Sequence, residues 1–142
     1  MDIQHLDIID LISERHTQLR ARLESSWNQQ SEMVLSNTEW HILAKINGGM
    51  HVISSITKSV YITRQATHKH LKNLQSKQLV EIYDDETNKR NKLVRITKEG
   101  AELLHHYNEM KTALSLQLEE ALGKQRFETL QKLLAKDWLQ KQ

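Results

Sequence analysis

A chain of 142 residues with no proline and only four glycines has little with which to interrupt a helix. Proline removes a backbone donor and clashes with the preceding turn, and glycine supplies the freedom that tight turns use. All-β sandwiches need such punctuation every few residues, so this chain reads as mainly helical. Two glycines are adjacent, at Gly48-Gly49, and a third, Gly123, stands alone near the C-terminal end. The length is about one domain's worth, ~150 residues, enough to bury a core without staples. Lack of cysteine excludes a disulfide framework, a thiolate metal site, a cysteine nucleophile and a thiol redox switch.

The apolar spacing fills in the helices. Ile3, Leu6, Ile9, Ile12, Leu19, Leu23 and Trp27 recur at intervals of three and four or their multiples, with His16 the polar residue in the stripe. That pattern predicts one long amphipathic helix over about 3–27, and the polar stretch Asn28–Glu32 follows it. Ser36 with Glu39 three residues on is a capping-box pattern opening a helix through Ile46, which Asn47-Gly48-Gly49 ends. Met50–Ile53 reads as a short extended piece before a helix over Ser54–Val60. After a tight connection at Tyr61-Ile62, Thr63 caps a helix to about Lys77. Val80–Tyr83 and Lys92–Thr97 alternate apolar and polar residues and predict two strands joined by the long polar loop Asp84–Asn91. From Lys98, Leu103, Tyr107, Met110, Leu114, Leu118 and Leu122 mark a second long helix. Gly123 breaks it, and Phe127, Leu130, Leu134 and Trp138 mark a final one. The expected fold class is mainly α with a small β-hairpin wing: a winged helix-turn-helix between long terminal helices.

Charge separates the centre from the ends. Net charge is only +2, yet no acidic residue stands between Glu39 and Glu81. Within 58–98, ten basic residues face four acidic ones, a balance of +6, while the remainder carries ten basic and fourteen acidic, a balance of −4. A basic centre between acidic ends points to a polyanion-binding segment on a scaffold of different purpose. With Ile56, Val60, Ile62, Leu71 and Leu74 turned inward, Arg64, Gln65, His68, Lys69 and Lys72 share one face of the second helix of the pair. Arg and Gln can read base edges bidentately, and Lys neutralises phosphate. A recognition helix presents its N-terminal residues to the bases, which favours Arg64, Gln65 and His68, with Thr63 at the helix start a further DNA-binding candidate. Lys89, Arg90 and Lys92 on the wing are placed for an adjacent minor groove or the backbone.

These motifs resemble the MarR family of winged-helix transcription regulators over nearly the whole chain. The most specific part runs Ser55-Ile56-Thr57-Lys58-Ser59-Val60-Tyr61-Ile62-Thr63-Arg64-Gln65-Ala66-Thr67, then Leu71, Leu74 and Leu79-Val80. Ile96-Thr97-Lys98-Glu99-Gly100 matches the family's exit from the wing, and Arg90 its wing arginine. Three positions depart: Asn88 where an aspartate commonly stands, Gln78 where glycine is usual, and Thr67 where an aliphatic residue is usual. The resemblance implies a cytoplasmic, non-enzymatic regulator of a single domain over 1–142. Its DNA-binding lobe would cover about 35–98 and its dimerisation helices about 3–27 and 98–140. It also implies a homodimer on a roughly palindromic double-stranded operator, half-sites about 34–36 Å apart or a multiple, and repression released by an effector. Apolar stripes at both ends support a partner independently, the lesser alternative being that they cap their own chain.

The family commonly takes small aromatic or phenolic effectors between the dimer helices and the DNA-binding lobe. His16, Trp27, Trp40, His41 and Tyr107 are the large side chains available to line such a site. Zinc-responsive members place a histidine about where His41 stands, and Glu24 could add a carboxylate. Here, however, Trp40 rather than an acid precedes His41, and the adjacent His105 and His106 diverge by about 100° around a helix. No metal site and no cofactor are therefore assigned, and zinc response remains the alternative, beside a helical module for protein contacts without DNA. No nucleophile–base constellation, phosphate-binding glycine loop or paired carboxylates on a cleft wall suggest an enzyme. The N-terminus lacks a basic stretch before an apolar block, and no apolar run approaches the ~20 residues of a membrane span.

Overall fold

The computed structural model describes residues 2–139. Its elements follow in the order α1 (Ile8–Gln30), α2 (Asn37–Asn47), α3 (Ile53–Ser59), α4 (Arg64–Ser76), β1 (Val80–Asp84), β2 (Lys92–Ile96), α5 (Lys98–Leu122) and α6 (Lys124–Ala135). The strands pair antiparallel, Val80 opposite Ile96 and Asp84 opposite Lys92. Helix-turn-helix, wing and long flanking helices are thus all present.

Most boundaries are set by caps. Ser36 and Glu39 form the reciprocal capping box that opens α2, and Thr63 and Thr97 accept from the amides of Ala66 and Gly100 to open α4 and α5. Each cap satisfies amides that have no partner within the helix. Both ends of the chain depart from expectation. Ile3 and Leu6 precede α1 instead of belonging to it, because Asp7 accepts from the Asp10 amide and starts the helix there. At the other end α6 stops at Ala135, and the Trp138 indole turns back to donate to the Leu133 carbonyl at 2.6 Å. Gln140, the expected limit of the C-terminal helices, lies outside the described residues. The Met50–Ile53 piece is extended only at Val52, which bridges to Leu93, while the Val94 amide donates to the His51 carbonyl at 2.9 Å.

The core gathers Ile42, Leu43 and Ile46 of α2, Ile53 and Ile56 of α3, Leu71 and Leu74 of α4, and Val80 and Val94 of the hairpin. Leu104 and Tyr107 of α5 and Trp27 of α1 close it from the side of the long helices. Two of the unusual positions explain themselves here. Thr67 is fully buried, and its hydroxyl donates to the Thr63 carbonyl at 3.0 Å and accepts from Thr57 Oγ1 at 2.8 Å, a polar clasp between α3 and α4. Gln78 takes φ +63° just past α4, the left-handed position where glycine is easiest. Its amide bonds to Gln75 and that of Leu79 to Leu74, which completes the C-terminal cap. Gly100 is required by closeness rather than by φ. A Cβ there would fall inside the Leu79 carbonyl oxygen, where the start of α5 presses on the entry to the wing.

Candidate nucleic-acid interface and effector cleft

Leu71 and Leu74 turn one face of α4 into the core, which leaves Arg64, Gln65, Lys69 and Lys72 exposed and His68 half-buried. Thr63 caps the helix at that same end. The expected reading face is therefore the solvent face. A groove of about 340 Å³ runs between α3, the N-terminal turns of α4 and the wing. Arg64, His68, Arg90 and Lys92 line it, joined by Lys58, Ser54, Thr57 and Asn91. Sequence reasoning had not assigned Lys58, although it is a cation inside the acid-free interval and one turn of α3 beyond Ser54. Lys69, Lys72 and Lys89 are exposed but do not line the groove.

The wing is braced without the aspartate common at position 88. Asn88 Oδ1 accepts from the Arg90 amide at 3.1 Å, and Asp85 Oδ1 accepts from the Thr87 amide and hydroxyl at 2.9 and 2.7 Å. Those bonds hold the Asp85 carboxyl below its ordinary range. Across the strands Lys92 pairs with Asp84, and Arg95 pairs with Glu81 at 2.7 Å while its guanidinium lies over the Tyr83 ring. Exposed pairs of this kind contribute little to stability, so they serve to order the hairpin. Lys89 and Arg90 at its tip have no carboxylate partner among the described residues.

A second concavity of about 310 Å³ lies where α1, α2 and α5 meet. Trp27, Trp40 and Tyr107 stand together there. Trp40 and Tyr107 stack at 3.9 Å with parallel planes, and Trp27 meets each edge-on at 5.1 and 5.6 Å. Arg20 Nη1 donates to the Tyr107 hydroxyl at 3.3 Å, and Lys111 Nζ sits 5.3 Å from the ring centre. Burial raises the Tyr107 hydroxyl pKa against the opposing pull of Arg20. Burial lowers Lys111, and Arg20 adds to the effect. His41 is exposed and does not line the cleft, yet it is lowered by partial burial and then by Lys45, Arg20 and Lys111. Among the described residues no carboxylate pairs with Arg20, Lys45 or Lys111, and Glu24 is the single acid lining the cleft. His16 is exposed on α1 and is not part of this lining.

The same field bears on zinc. Burial first, and then the charges of Lys45, Arg20 and Lys111, disfavour positive charge at His41. His105 spends its Nε2 on Glu109 at 2.6 Å, and no group of three or more His, Asp or Glu among the described residues is disposed to hold a metal ion. None of the described helices is long and apolar enough to cross a membrane.

Helix-turn-helix, cap-and-wing junction and hairpin define the class. A family model described as winged helix-turn-helix matches residues 39–115, and the chain belongs to that family. Its fold, flanking helices included, is that of the MarR regulators. The ligand-free wild-type MarR of E. coli superposes with a TM-score of 0.76 at 20% identity, covering 92% of this chain and 96% of that one. The transcriptional regulator BldR of Sulfolobus solfataricus gives 0.72 at 20% identity over 90% and 92%. A mutant of MepR from S. aureus gives 0.73 at 18% over 91% and 94%. No curated protein sequence matches the chain.

Proposed function

We propose that the chain is a sequence-specific, double-stranded-DNA-binding transcriptional regulator that works as a homodimer, a repressor released by an effector. The observation that carries the reading is the groove shared by α3, α4 and the wing, where Lys58, Arg64, His68, Arg90 and Lys92 converge on a stretch that contains no acid from Trp40 to Val80. Residues about 35–98 form the DNA-reading lobe. Thr63, Arg64, Gln65 and His68 meet base edges, and Lys69, Lys72, Lys89, Arg90 and Lys92 meet the backbone and the neighbouring minor groove. Solved structures that share the fold include transcriptional regulators and a multiple antibiotic resistance repressor, which supports a regulatory rather than an enzymatic role. A cytoplasmic location follows from such a role.

Titrating the protein with duplex DNA at several salt concentrations tests it. Affinity should fall linearly on a log–log plot, with a slope of about 0.9 per phosphate neutralised. No binding, or binding indifferent to salt, would refute the proposal.

The dimer is supported by apolar surface left on the terminal helices. Ile8 and Ile9 of α1 are 71% and 72% exposed, and Leu130, Leu133 and Leu134 of α6 are also open to solvent. The long helices, expected to pair over about 3–27 and 98–140, would bury these against a second copy.

For the effector, the packed aromatic trio supplies an apolar wall, and Arg20 and Lys111 supply positive charge that no ion pair neutralises among the described residues, Glu24 being the one acid in the lining. An aromatic anion fits that chemistry, bound against Trp27, Trp40 and Tyr107. Benzoate is a suitable probe, and it should quench the tryptophan emission in the parent and not in Lys111→Met.

A further inference from the structure

The cleft and the recognition helix are held by the same short piece of chain. Val34, Leu35, Ser36, Asn37 and Trp40 form one wall of the cleft. Within that stretch the Val34 carbonyl accepts from Lys77 Nζ at 2.7 Å. Glu39, the neighbour of Trp40, reaches the other way: its Oε2 accepts from Asn73 Nδ2 at 2.9 Å and pairs with His70 Nδ1 at 3.0 Å. Its Oε1 accepts from the Ser36 amide at 3.2 Å. His70, Asn73 and Lys77 follow helical spacing along the side of α4 away from Arg64, Gln65, His68, Lys69 and Lys72. One face of the helix is thus left for DNA, and another is tied to the wall of the cleft.

Glu39 is 5% exposed. Burying a carboxylate is costly unless its hydrogen bonds are complete, and an apolar residue of similar size would pack there at lower cost. What a carboxylate adds is direction. Apolar contact is non-directional and tolerates sliding, whereas two donors converging on one oxygen admit a single register between α2 and α4. Trp40, one residue on, carries the other end of the connection into the stack with Tyr107.

We propose that Glu39 is a positioning residue which, through His70 and Asn73, ties the pose of the recognition helix to the cleft wall Val34–Trp40. A ligand that displaces the wall therefore displaces the DNA-reading face. The link rests on the DNA-binding reading above, but it needs no particular effector. Coupling between two sites is reciprocal, so DNA seated on α4 must alter the cleft in turn.

That reciprocity supplies the experiment. In a Trp138→Phe background Trp27 and Trp40 are the only tryptophans, and both belong to the cleft. Random-sequence duplex DNA is titrated at low salt, with anisotropy of labelled DNA reporting binding and tryptophan emission reporting the cleft. In this parent, binding should shift the emission. Glu39→Gln should bind roughly 2- to 30-fold more weakly, the range commanded by residues that connect two sites, and should lose the emission response. Asn73→Leu breaks the same link from α4 and leaves the capping box of α2 intact, so it should reproduce the loss if Glu39→Gln does not fold. A parent that binds DNA without an emission change overturns the link. So does a folded variant that keeps the response, even if its melting temperature has dropped, since that is the behaviour of a merely structural residue. A parent that does not bind DNA at all removes the DNA-binding reading, and the link with it.

Discussion

At the scale of single residues, the informative positions are those where side chain and surroundings are at odds. Glu39 is one. Burial acts to raise its carboxyl pKa, but hydrogen bonds from His70, Asn73 and the Ser36 backbone outweigh it and hold the group below its ordinary 4.5. A carboxyl depressed in the folded state contributes stability above its unfolded pKa, and that stability is lost as pH falls through the folded value. Melting temperature should therefore fall on acidification below about pH 4.5, and less steeply in Glu39→Gln than in the parent. Parallel profiles would remove Glu39 from the acid response. Gln78 is another, a side chain at φ +63° where the left-handed region costs ordinary residues about 1–2 kcal/mol. Gln78→Gly should raise stability, by about 1 kcal/mol or less once the freer unfolded chain is counted. A loss of stability in urea unfolding would contradict that assignment. Thr67 shows the limit of residue-by-residue reading. Sequence marks it as an odd polar residue in an apolar slot, and only its partner Thr57, ten residues earlier, makes it part of the helix–helix contact.

At the scale of elements, α4 has two working sides that predict separable phenotypes. Arg64 lines the groove and lies in the first turn, the part of the helix that the proposed DNA-binding role would bring to base edges. Arg64→Ala should cost about 1–3 kcal/mol on a selected operator and relax preference at one base position. Equal losses on every sequence would refute base reading. Lys72, two turns on and outside the groove, should on mutation to Ala weaken all sequences alike and reduce the salt slope by about one. A loss confined to one sequence would contradict a phosphate contact. Elements were also the most legible level of the chain. Helix starts at Thr63 and Thr97, the break at Gly123 and the alternation within each strand all follow from neighbours within four residues, so a linear reading captures them. Where it misplaced an end, at Ile3 and at Trp138, apolar spacing had continued past the local signal that stops the helix, the Asp7 cap and the turn of the Trp138 indole onto Leu133.

For the whole molecule, the near-neutral total conceals a polarity that the fold makes spatial. Half of the basic residues fall within 58–98, four of them lining the groove, while the terminal helices α1, α5 and α6 carry half of the acids and most of the uncovered large apolar side chains. If that surface is a dimer seam, placing glutamates at Leu133 and Leu134 should shift sedimentation from dimer to monomer. It should also weaken operator binding, because a palindrome is read by two linked helices. Monomeric sedimentation of the parent at micromolar concentration would remove the homodimer from the account.

What the sequence by itself determined was local: periodicity, caps, glycine breaks, the wing and the charge bias of residues 58–98. Each depends on residues near one another along the chain. The tertiary structure decided which faces meet. It brought Glu39 to His70 across 31 positions and Arg20 to Tyr107 across 87, and stacked Trp40 on that same tyrosine. It also gathered Arg20, Lys45 and Lys111 near enough to His41 to lower its pKa after burial, none of the three in an ion pair among the described residues. A helical stripe states that a face is apolar, not what it packs against. Burial and hydrogen-bond completion are satisfied only by the assembled fold, so the cleft and its tie to the recognition helix exist only there.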